Sequence, residues 1–174
     1  MIALDRYREL TAKVDAFFAR VQARHANEML CGSGCHDCCH VALSVTAVEA
    51  APIRAFLASA AAATRARLAT RASRPDPERC VALEDDGRCA IYDVRPLVCR
   101  SHGVPIRQRE PGGAATVSTC FRNFTTRGVA SADPDCVLDQ TTLSTLLLAI
   151  DAAHAAETGS ERGARVPLAE LLHR

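Results

Sequence analysis

No tryptophan occurs in the 174 residues, and the aromatic side chains are limited to Tyr7, Phe17, Phe18, Phe56, Tyr92, Phe121 and Phe124. Platforms for stacking bases or an organic cofactor are therefore scarce, and any core must be largely aliphatic. The hydrophobic fraction of 48% is inflated by 32 alanines, which bury little area each. A core so thin gains much from a metal cross-link. A structural zinc site supplies ~10–16 kcal/mol of apparent binding energy, against the ~5–15 kcal/mol net stability of an ordinary domain. Lysine is nearly missing as well: Lys13 stands alone among arginines, and the net charge is only +1. That balance argues against a nucleic-acid or acidic-membrane partner. No apolar run approaches the ~20 residues that span a bilayer. Ile2-Ala3-Leu4 meets Asp5, Arg6, Arg8 and Glu9 at once, without the apolar stretch of a secretory leader. The expected location is the cytoplasm, where thiols stay reduced. H-E-x-x-H, P-loop and nucleophile-elbow motifs are all lacking. The sequence thus names no catalytic residue and leaves open whether the protein is an enzyme.

What the chain does have is cysteine. Four of its nine cysteines fall in Cys31-Gly32-Ser33-Gly34-Cys35-His36-Asp37-Cys38-Cys39-His40. Thiolates this dense repel one another unless a metal, an iron–sulfur cluster or disulfides hold them. The odd number of cysteines and the reducing location favour metal. Cys80, Cys89, Cys99 and Cys120 bring the candidate ligands to eight. Eight thiolates could fill two four-sulfur sites, or one site with extra ligands or a redox pair. Cys136 stands apart, and Cys136→Ser is expected to leave metal content unchanged. His36, His40 and His102 are candidate ligands by proximity, His102 foremost because it sits three residues after Cys99. His25, His154 and His173 read as surface positions. Arg95 and Arg100 flank Cys99 and would favour its thiolate.

The periodicity places these residues on a mainly α chain with small β-hairpins, a single domain over residues 1–174. Apolar spacings of three and four predict a helix over 2–30. Thr46-Ala47-Val48-Glu49 has the form of a capping box, so a helix is predicted from Ala47 to about Ala72, with Pro52 kinking it or delaying its start. Asp86-Gly87 predicts a hairpin that brings Cys80 near Cys89. Asp93 and Pro96 would start a short helix carrying Cys99, and Gly103 would end it. A second hairpin is predicted over 104–119, turning at Pro111-Gly112-Gly113. A helix is expected over 138–157. A flexible link and a short tail helix with Leu168, Leu171 and Leu172 follow. The metal-binding core would thus span 31–120, packed on helices.

The run Cys35-His36-Asp37-Cys38-Cys39, followed by Cys89-Ala90-Ile91-Tyr92-Asp93-Val94-Arg95-Pro96-Leu97-Val98-Cys99-Arg100 and a later cysteine, resembles the YkgJ-type CxxCxxCC cysteine-cluster family, whose described role is zinc or iron chelation. Cys31 departs from the pattern, lying four residues before Cys35 where the family name implies three. The resemblance implies a metal-binding domain and no particular reaction. It is compatible with a metal-binding protein in which zinc or iron is structural, with a protein partner unnamed. The alternatives are an iron–sulfur or iron-dependent redox protein or enzyme, and a protein that stores, senses or delivers metal. A disulfide-stapled secreted protein is a fourth, more distant reading.

Overall fold

The computed structural model describes residues 2–32, 34–109 and 112–173. It is 53% helical and 11% strand, a mainly α chain with small sheets. Among the described residues the helices are α1 (Ile2–Arg24), α2 (Ala47–Ser59), α3 (Ala62–Ala72), α4 (Leu97–Ser101), α5 (Gln140–Thr158) and α6 (Leu168–His173). The strands are β1 (Ser44–Thr46), β2 (Ile106–Arg109), β3 (Ala115–Ser118), β4 (Leu138–Asp139) and β5 (Arg165–Pro167). The chain forms two compact units, each assembled from separate stretches. The first comprises Met1–Tyr7, Ser33–Pro96 and Ile150–Arg174; the second comprises Arg8–Gly32 and Leu97–Ala149.

In the first unit, β1 pairs antiparallel with β5, Val45 opposite Val166. The cap of α2 forms as its sequence requires. The Thr46 N–H donates to Glu49 Oε2 at 2.9 Å, and the Thr46 hydroxyl lies 3.1 Å from the same oxygen. Pro52 stays inside α2. The predicted long helix breaks instead at Ala60, whose ψ of 151° is extended, and α3 restarts at Ala62. The break lets α3 turn back and pack along α6. Leu68 and Ala72 of α3 share a core with Val45, Ile53, Ile91, Leu168, Leu171 and Leu172. The Arg-rich face of α3 is solvated and ion-paired, Arg67 and Arg71 lying 3.4 and 3.3 Å from Glu84.

In the second unit, β2 and β3 form the expected hairpin, Ile106 opposite Ser118. Gly112 takes a positive φ of 74° in its turn, while Pro111 lies outside the described residues. The strand β4, only two residues long and unmarked by any sequence pattern, adds to β2 in parallel. Val21, Met29, Val104, Phe124 and Cys136 form the core of this unit. α1 ends at Arg24, short of the predicted 30, and continues as turns bonded from His25 N–H to Val21 O and from Met29 N–H to His25 O.

Candidate metal centre

Four of the eight predicted ligands, Cys38, Cys39, Cys80 and Cys89, lie in the first unit close enough to influence one another's charge, although among the described residues no three cysteine sulfurs come within 4.8 Å of one another. Cys38 and Cys39 sit on one 3-10 turn, Asp37–Cys39. Cys80 and Cys89 flank the turn at Asp86-Gly87. That turn is tighter than the predicted hairpin: a single antiparallel bridge, Leu83 to Cys89, replaces a ladder. The Cys80 N–H donates to Cys39 O at 2.7 Å, tying the two segments side by side. Gly87 has φ +80°, and a Cβ there would stand 2.9 Å from His36 Cδ2, so both turn geometry and packing require glycine.

The electrostatics are those of interacting thiols. The Cys39 thiol donates to Cys38, which lowers the Cys38 pKa from 9.0 to about 7. The same bond, with burial and the neighbouring sulfurs of Cys38, Cys80 and Cys89, pushes Cys39 well up. Burial raises Cys80 and Cys89 too, while backbone N–H groups of Ala82 and Leu83 point at Cys80 and that of Ile91 points at Cys89. Such N–H···S bonds favour the thiolate and counter the burial. Arg95 also favours the Cys89 thiolate. The predicted influence of Arg95 thus falls on Cys89. Its guanidinium also stacks on the Tyr92 ring at 4.0 Å and donates to Tyr92 O at 2.9 Å. Tyr92 itself is 60% exposed.

Cys35 belongs to the same unit, at the entrance to the 3-10 turn. Nitrogen and oxygen donors lie on that loop as well: His36, Asp37 and His40 each offer a ligand atom within 4.8 Å of the others. His36 Nδ1 is buried with no hydrogen-bond partner among the described residues.

Cys31, Cys99 and Cys120 lie in the second unit. Their segments are joined by a residue the sequence reading missed. The side chain of Asn123, 3% exposed, donates to Cys31 Sγ at 3.1 Å and Gly103 O at 2.7 Å, and accepts from Leu30 N–H at 2.9 Å. Asn123 N–H donates to Cys120 O at 2.9 Å. Gly103 follows α4, the helix of Cys99, at φ +101°; a Cβ there would stand 2.6 Å from Cys31 Sγ. His102 lies beyond the last residue of α4 and is exposed, so the helix face it was expected to share with Cys99 does not form. Arg100 is buried and paired with Asp15 at 2.5 Å. His25 and His154, read as surface positions, are buried at the end of α1 and within α5 respectively; His173 is exposed.

All nine cysteines are free thiols. Sulfur donors gathered from separate segments, carrying backbone N–H support and next to an arginine, suit a soft or borderline metal ion. These features define the class: a cysteine-rich metal-binding protein. The chain belongs to the CxxCxxCC family, described as "Putative zinc- or iron-chelating domain", whose model matches residues 30–121, more than half of its length. Nothing among curated proteins or solved structures matches the chain.

Proposed function

We propose that Cys38, Cys39, Cys80 and Cys89 hold a zinc or iron ion as thiolates, with Cys35 as a further donor in the first unit and Cys31, Cys99 and Cys120 as sulfur donors of the second, in a protein of the cytoplasm. The observation that carries this reading is the interacting set of four thiols in the first unit, with main-chain N–H groups aimed at Cys80 and Cys89. The fit is chemical: the donors are soft, they come from two segments, and each needs only to lose a proton. Bound metal would supply cross-linking energy to a chain poor in large apolar side chains. If the metal is iron, redox chemistry becomes available to the same sulfurs.

Metal analysis with an absorption spectrum, on protein purified anaerobically without added metal, tests the proposal. Colourless zinc is the expected result for a structural role. A brown protein with iron and acid-labile sulfide would mean a cluster and a redox role. Cys38→Ser and Cys99→Ser should each lower the metal content. Full content in both variants, or no metal with paired thiols, would overturn the assignment.

A further inference from the structure

Spacing set Cys136 apart from the other cysteines, but the fold returns it to a group of ligand types. In the second unit, one ligand atom each of His25, Asp133 and Cys136 lies within 4.8 Å of the others. The residues come from two places. His25 is in the first turn beyond α1, and Asp133 and Cys136 bracket the 3-10 turn Pro134–Cys136. Asp133 is the extended residue just before the turn, with ψ 142°, and Cys136 is the last residue of it. Pro134 at its start restricts the backbone there.

The spacing suits an ion. His25 Nε2 and Asp133 Oδ2 are 3.6 Å apart. Two ligand atoms of a tetrahedral zinc ion, with bonds of about 2.0–2.3 Å, stand roughly 3.3–3.8 Å apart. Cys136 is 0% exposed and His25 6%, whereas the Asp133 side chain is 51% exposed. An ion there would have two buried donors behind it and an open side toward water. The Asp133 N–H lies 3.4 Å from His25 Nε2, a long contact.

Two neighbours prepare the group. Phe124 packs on the His25 ring with centroids 5.1 Å apart, and it holds a φ of +54°, a conformation costly for a bulky residue. Arg24 is the cation that would oppose a metal, but Asp135 takes it with both oxygens at 2.7 Å, and Asp133 lies 3.7 Å from it. One carboxylate and one thiolate would then balance a divalent ion.

We propose that His25, Asp133 and Cys136 form a second divalent-metal site of the zinc class, built from residues outside the eight-cysteine set. Three unlike protein ligands with an open fourth position are the pattern of a site that binds water or a small ligand, rather than a closed structural one. Cadmium NMR on the full chain tests it. The expected spectrum has a resonance for one sulfur with nitrogen and oxygen donors, well upfield of any from sulfur-rich coordination. Cys136→Ala and Asp133→Ala should each abolish that resonance and leave the sulfur-rich one in place. Asp133 makes no side-chain cap bond to the turn, so its variant should keep the fold. The upfield signal is read independently of the cysteine cluster. Its absence under excess cadmium, or its survival in both variants, would overturn the site and leave His25, Asp133 and Cys136 as a packing contact.

Discussion

Single side chains decide how the sulfurs are held. Cys31 is placed by an amide and by a missing methyl group: Asn123 donates to its sulfur, and Gly103 leaves room for it. Gly103→Ala would force a Cβ to within 2.6 Å of that sulfur and place alanine at φ +101°. The backbone strain alone costs about 1–3 kcal/mol. Denaturant unfolding should register at least that loss, and an unchanged midpoint would show that the segment relaxes freely. Neither residue stands out in the sequence. Gly103 reads as an ordinary helix stop and Asn123 as a loop residue, because what distinguishes them is proximity to a cysteine 72 and 92 positions away. Cys80 and Cys89 were legible by contrast, since the local Asp86-Gly87 turn sets their approach.

Among the elements, the short ones matter most. β1 and β5 together hold six residues, yet they join the start of α2 to α6. Leu171 of α6 is 2% exposed and lies in the core that also includes Cys80 and Ile91. Leu171→Ala should destabilise the fold by about 2–5 kcal/mol, the usual cost of emptying such a site. The check is a denaturation midpoint measured with and without metal; a loss well under 1 kcal/mol would mean that α6 is dispensable. The capped start of α2 and the hairpin of β2 and β3 could be read from local signals. The break at Ala60 could not, because alanine has the highest helix propensity and only packing of α3 on α6 interrupts the run. β4 and β5 escaped notice for a related reason: two or three residues show no periodicity, and their partners are distant in sequence.

For the molecule as a whole, metal and protons should be exchanged together. Burial keeps Cys80 and Cys89 protonated above their ordinary range, and Cys39 is held up by its bond to Cys38. These protons must leave when the thiols ligate, so metal affinity should fall as pH falls. Titrating zinc into metal-free protein in a weakly buffered, indicator-containing solution should release acid with each ion bound. Binding without proton release would mean that oxygen or nitrogen donors, and not these thiols, take the ion. Among the described residues no helix is long and apolar enough to cross a membrane. The pairing of β1 with β5 also sets an order of events during synthesis. Val45 emerges from the ribosome soon after the cysteine-rich loop, but Val166, its partner, follows 121 residues later. The nascent chain therefore displays its first thiols well before the strand that closes their unit has been made.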